Sequence, residues 1–483
     1  MTYRVLGALV HCAAIVVQVA PAPGVDLAIR DATILDVRSG RLLPHRTVLI
    51  ADGLIRAILA PGAGSAIVAR RTIEGRARLL TPGLFDVHSH SGMVLGDSVT
   101  PTNGDITHLV MRPNSIAAYR RRYAETYLPY GVTSVRDAGS NAHDMPMLVA
   151  WMRRTRDAPD FYPVGAQFIS PEPGRVPPPF QIALADSAAA AAQVRRYYAL
   201  GIRDIKLYWR LDRPAFDGAL VTALALGMHP DGHVGDGTVS IGQALDLGLR
   251  RFEHIITIPP SVLRASERDS VENELPDLMG VHRDPRWWSR PGIGFLVDPA
   301  YWRYLGPDNL RVLALIDRFR ALHASLTPTL HLEAQRLGLT YFQSAPRIPF
   351  EDVSGVSDAE RRRAVEGYRI MASYVRRFYA AGVRLNLGTD TPDPGKAALS
   401  EMLLFHDAGI PMAGVFAIAT INGAEEVGQA SVVGAVEVGK RADLLLFDRS
   451  PLDQPTNLLG PKTVIKSGVV WCSASDSAPR PCG

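Results

Sequence analysis

Pro82-Gly83-Leu84-Phe85-Asp86-Val87-His88-Ser89-His90 is the stretch from which the rest of the chain is read. The Pro-Gly pair punctuates its start, and an apolar strand is predicted from residue 84 to 89. Side chains along a strand alternate with period two. His88 and His90 therefore face the same side at the strand's C-terminal end. Two imidazoles so placed can hold one divalent metal from a single strand.

Outward from this strand, from about Pro82 to Ala430, short apolar strands alternate with amphipathic helices, the pattern of a parallel α/β sheet. Strands are predicted at 84–89, 132–137, 161–168, 202–208, 228–234, 250–255, 324–329 and 384–389. Eight such units predict a (β/α)8 TIM barrel with insertions, whose functional groups collect at the C-terminal ends of the strands. The largest insertion, about 259–322, carries Trp287-Trp288 and reads as a lid over the barrel mouth.

Both ends of the chain have a different texture. Val25–Leu35, Arg46–Ile50, Leu54–Leu59 and Ile67–Ile73 alternate between turn signals, and so do Ala442–Phe447 and Thr463–Trp471. The two β-rich ends are expected to pair into one small composite β-sandwich. Ahead of them, Met1 to Arg4 precede an apolar run from Val5 to Ala20, with small residues at Ala20 and Ala22. That is the form of a secretory signal peptide, too short for a membrane span, so the protein is expected to be exported, periplasmic or secreted. The expected organisation is 1–22 signal peptide, 23–80 sandwich, 81–430 barrel, 431–475 sandwich and 476–483 tail.

Four further positions carry chemistry. Lys206 sits in the fourth predicted strand, and a lysine inside an apolar barrel strand is costly unless neutral or paired. The chain holds only five lysines against 47 arginines. A neutral amine there can capture CO2 as a carbamate, an anionic oxygen ligand able to bridge two metals; a lysine reaching solvent is the plainer reading. His233 and His254 end strands five and six, and their imidazoles complete a second metal position. Asp390 ends strand eight, where a carboxylate can bind metal and move a proton. Helix capping is its alternative role, and Asp393 is the competing carboxylate.

Charge narrows the partners. The 52 basic and 48 acidic residues leave a net charge of +4, too balanced for a nucleic-acid footprint. Arg120–Arg122 and Arg361–Arg363 read as solvated helix faces. No CxxC spacing is present among the three cysteines, and Cys472 and Cys482 either pair or stay free.

Taken together, Pro82–His90, Gly131–Asp137, Ile205-Lys206, Gly232-His233-Val234, Phe252-Glu253-His254, Gly388-Thr389-Asp390 and the return segment Gly434–Leu444 resemble the amidohydrolase superfamily of metal-dependent hydrolases. The resemblance is to members with a carboxylated lysine, with the texture of exported Xaa-Pro dipeptidase-like and imidazolonepropionase-like hydrolases. It implies one or two divalent metals, usually zinc. His88, His90 and Asp390 would hold the first, His233 and His254 the second, and carboxylated Lys206 the bridge. Strand five is irregular through Pro230-Asp231-Gly232, which leaves His229 as an alternative to His233. The implied reaction is hydrolysis of an amide C–N bond of a dipeptide or N-acyl amino acid by metal-activated water, with Asp390 as proton shuttle. Lactone or cyclic-amide hydrolysis and mononuclear deamination are the alternatives on the same scaffold. Tyr208, His143 and His331 are candidate contacts to a small-molecule substrate, and Arg136 is a further cation that could lie near the mouth. Homo-oligomerisation is compatible with the sequence.

Overall fold

The computed structural model describes residues 24–64, 66–95, 116–152, 156–235, 237–274, 296–342, 354–474 and 477–481. The expected signal peptide, Trp287-Trp288 and Cys482 lie outside them. At the N-terminal end, β1 (Val25–Leu35) pairs antiparallel with β2 (Leu42–Ala51), which turns back into β3 (Leu54–Leu59). β4 (Ala69–Glu74) and β5 (Leu79–Pro82) lie parallel to β1.

The parallel strands follow in two sets. β6 (Leu84–Ser89), β7 (Val132–Asp137) and β8 (Asp160–Pro163) form one. The other holds β9 (Gln167–Ile169), β10 (Gln181–Ala183), β11 (Asp204–Leu207), β12 (His229–Gly232), β13 (Arg251–Glu253), β14 (Ser325–Thr327) and β15 (Arg384–Leu385), in the order β10-β9-β11-β12-β13-β14-β15. The architecture is mixed α/β and TIM-barrel-like. Past β15, Val87 N donates to Leu387 O and Asp390 N to His88 O, each at 2.9 Å, which brings the last strand against the first.

The strand expected at 161–168 is broken. Its first part pairs with β7 and its second with β11. The break falls at Gly165, whose φ of 80° is left-handed and where a Cβ would meet the Tyr197 ring at 2.3 Å.

At the C-terminal end, β16 (Leu444–Phe447) pairs antiparallel with β5, and β17 (Lys462–Lys466), β18 (Val469–Ala474) and β19 (Ser477–Pro481) follow by hairpins. Strands from both ends thus join one nine-stranded sheet. The expected tail at 476–483 contains β19 instead, because Arg480 and Pro481 find partners along β18. The sheet is pinned to the strands of the middle region through buried charges. Arg441 and Lys466 both reach Asp160 and Asp443, the lysine at 3.1 and 2.9 Å.

In its described residues, the region read as a lid is mostly packed helix. Leu310–Ala321 is the helix leading into β14, and Phe319 stacks at 4.9 Å on Phe252 of β13. Val297–Leu305 buries Trp302 completely against Tyr374 of the helix Asp358–Ala380. The apolar spacing of Ala300, Tyr301, Trp302 and Leu305 calls for a helix partner rather than solvent. Among the described residues, no helix is long and apolar enough to cross a membrane.

Candidate metal centre

Strand register decides which side chains share the interior. Leu207, Gly232, Phe252, Leu326 and Leu385 are linked side by side in consecutive pairs. Phe252 points out to the helices, so the residues one step before and after it on each strand point in. Lys206 and Asp231 make one interior layer and Glu253 sits one step above them. His254 should then point out. Its φ of 62° turns the chain and brings its ring inward as well. Asp390 has a φ of 48° and Thr329 one of 55°, so three residues at this end hold left-handed backbone. Gly388 allows the approach: a Cβ there would meet His88 Cβ at 2.6 Å.

The imidazoles and the carboxylate converge. Ligand-type atoms of His88, His254 and Asp390 all lie within 4.8 Å of one another. Asp390 Oδ1 is 3.7 Å from His88 Nε2 and 3.2 Å from His90 Nε2, and Oδ2 is 4.0 Å from His254 Nε2. The His88 ring centroid is 4.6 Å from that of His254, and the His254 centroid is 4.4 Å from that of His233. His88 is buried, whereas His90 and Asp390 keep 15% and 14% of their side chains exposed, which sets the open face of the cluster.

Neighbours fix the orientation. The Thr329 hydroxyl donates to Pro328 O at 2.7 Å, so its lone pair accepts from His254 Nδ1 at 2.9 Å. That leaves the Nε2 lone pair of His254 toward Asp390. Asp86 accepts from the backbone N of His88 and of Thr389 and from the Thr389 hydroxyl, tying strand one to strand eight. Burial pushes the Asp86 carboxyl up to about 7. At the end of β7, Asp137 accepts from the N and Oγ of Ser91 and from Ser140 Oγ, which anchors the turn after His90.

Electrostatics favour neutral nitrogen donors beside an ionised carboxylate. Burial holds His88 and His254 well below the usual imidazole range. Burial also opposes charge on Asp390, yet His88 and His90 outweigh it and hold the carboxyl well below its ordinary value. Burial brings the Lys206 amine down to about 7.

The residues fit a divalent metal. His88 Nε2 is buried without a hydrogen-bond partner. That nitrogen, the neutral imidazole of His254 and the Asp390 carboxylate are a set that zinc-type ions satisfy.

The sequence-predicted residues divide clearly. His88, His90, His254 and Asp390 come together. His233 adjoins His254 and also lies edge-on to Tyr208 at 5.0 Å. Lys206 sits deeper, with its Nζ against Glu253 Oε2. His229 is at the opposite end of β12, 3.8 Å from Asp204, so the irregular strand leaves His233 as the residue at the cluster. Asp393 begins the helix Pro394–Asp407. His331 is buried on the first turn of the helix Leu330–Leu337. Its contacts are with Gln335, at 3.1 Å, and through its backbone with Glu401. The side chain of His143 lies outside the described residues. Arg136, placed near the mouth from sequence, is instead buried inside. It donates to Val87 O at 3.2 Å and pairs with Asp231 at 2.7 Å and Glu253 at 3.2 Å. Sequence reasoning missed Glu253, Asp86 and Asp137. The signal for Asp86 was present, since it shares the even-numbered face of His88 and His90.

The family model described as "Amidohydrolase family" matches residues 354–470. An imidazolonepropionase of Geobacillus kaustophilus (strain HTA426) is 37% identical over 106 residues, which are 20% of this chain and 25% of that protein. An N-substituted formamide deformylase of Arthrobacter pascens is 34% identical over 107 residues, 20% of each. The matched stretch thus spans a quarter or less of these curated relatives. A solved structure of a Xaa-Pro dipeptidase with bound methionine in the active site superposes with a TM-score of 0.63 at 17% identity. That likeness covers 92% of this chain and 100% of that one. Residues 354–470 are thus similar to the amidohydrolase family, and the likeness of fold extends over most of the chain. The return segment Gly434–Leu444, which lies inside the matched residues, delivers β16 to β5.

Proposed function

We propose that the protein is a metal-dependent hydrolase that cleaves an amide C–N bond, with a dipeptide or an N-acyl amino acid as substrate. The observation that carries this is the convergence of His88, His254 and Asp390, with His88 Nε2 buried and without a hydrogen-bond partner. In this reading the parallel strands close into a (β/α)8 barrel and the sheet built from both chain ends folds over as a composite sandwich. His88, His90 and Asp390 would hold one divalent ion and His233 and His254 a second, with carboxylated Lys206 as a further ligand. Zinc suits these donors. The chemistry such ions would supply when bound is a more acidic water and polarisation of the scissile carbonyl.

The chain's own groups do the rest. Asp390 is exposed on the open face and already bonded to His90, so it can take a proton from the attacking water and deliver it to the leaving nitrogen. An amine leaves only when protonated, which is why a carboxylate beside the metals is required. Tyr208, half-buried and edge-on to His233, is placed to contact the substrate. His331, past the end of β14, is a second candidate contact. The apolar run with small residues at Ala20 and Ala22 supports export with removal of residues 1–22.

Amine release from a panel of dipeptides and N-acyl amino acids, with zinc-loaded protein in bicarbonate, tests the reading. Turnover of a subset is expected. Silence across the panel with zinc bound would overturn the peptide-like substrate and redirect the search to lactones and cyclic amides.

A further inference from the structure

We propose that Glu253 is a positioning residue that orients His88 and Lys206 for metal, a role that rests on the functional reading above. Glu253 directly precedes the candidate ligand His254, yet its own carboxylate faces the other two. Oε1 lies 3.0 Å from His88 Nδ1, while the opposite ring nitrogen of His88 lies 3.7 Å from Asp390. His88 therefore stands between two carboxylates, one at each nitrogen. A carboxylate at Nδ1 keeps the proton on that side and leaves the Nε2 lone pair toward Asp390 and His254. The second oxygen, Oε2, abuts Lys206 Nζ. One side chain thereby sets the direction of two candidate ligands from two different strands.

A counter-ion role for Arg136 alone does not account for this placement. Arg136 already has Asp231 at 2.7 Å and Asp204 at 3.5 Å. Glu253 meets the same Nη1 at 3.2 Å with Oε1, the oxygen it also presents to His88. Arg136 further donates to Val87 O, the carbonyl just before His88. The guanidinium thus steadies both the carboxylate and the strand that carries the imidazole. Glu253 is completely buried, so no water takes its place.

The test is zinc affinity by chelator competition, read with the ring 15N shifts of His88, on wild type, Glu253→Gln and Glu253→Asp. Glu253→Gln keeps the shape but replaces the charged acceptor with an amide. Its zinc affinity is expected to fall roughly 10–100-fold, with the His88 shifts moving toward a mixture of tautomers and the metal-free melting temperature little changed. Glu253→Asp keeps the charge beside Arg136 but draws the carboxylate back, and is expected to show an intermediate loss. If Glu253→Gln does not accumulate folded, Glu253→Asp carries the test alone. Wild-type zinc affinity and wild-type His88 shifts in whichever variant folds would overturn the proposal. A wild-type protein that takes up no zinc would instead overturn the reading of the site.

Discussion

Asp390 meets two demands that rarely coincide: it is held ionised by the surrounding imidazoles, and it stays open to solvent on one side. Replacing it with asparagine removes the proposed proton acceptor and one proposed metal ligand. We expect kcat to drop by about 10²–10⁴-fold, the usual scale for loss of a positioned acid–base group, with weaker zinc retention on dialysis. A variant with wild-type kcat would remove Asp390 from the chemistry. Lys206→Ala should lower bound zinc to one ion or fewer per chain, measured by elemental analysis; an unchanged count would end the bridging role. His331 gives a pH signature. Burial brings its pKa from 6.5 down to about 4, so the folded state keeps it neutral while the unfolded chain takes up a proton. Stability from this group is present above about pH 6.5 and is lost as pH falls toward about 4. Chelator-treated His331→Phe should lose less stability across that window than wild type in urea unfolding, and parallel curves would show that His331 does not contribute.

At the level of elements, much of the frame was legible. The strands at 84–89 and 132–137 appear with the expected bounds, because Gly83 and Gly131 mark where each begins. The ends of the later strands were not legible. β15 pairs over two residues rather than six, since Gly388 and the left-handed Asp390 bend the chain toward His88. The same kind of turn at His254 explains why Glu253 escaped notice. A period-two reading allows one of two adjacent residues inside, and the positive φ admits both. The packed helix at Val297–Leu305 was hidden by its setting in a long irregular stretch. Trp302→Ala there removes a fully buried indole and should cost about 3–5 kcal/mol in urea unfolding. A loss under about 1 kcal/mol would place this helix outside the core.

Across the whole molecule, the nine-stranded sheet and the parallel strands are joined through charges that only make sense together. Lys466 is fully buried between Asp443 and Asp160, with Arg441 on the same pair. Lys466→Met leaves Arg441 to balance two buried carboxylates, and a destabilisation of about 3–5 kcal/mol is expected, with both units unfolding in one transition. Two separate transitions would mean that the sheet folds independently. The pinned sheet positions β5, and through it the start of β6, so the geometry of His88 depends on both chain ends. Direct counting of metal on the intact protein, reconstituted with zinc and bicarbonate, bears on all of this at once. Two zinc ions per chain, with amide cleavage lost on chelation and regained on zinc return, is the expected result. A chain that binds no zinc at these residues, or cleaves equally well without it, would contradict the account.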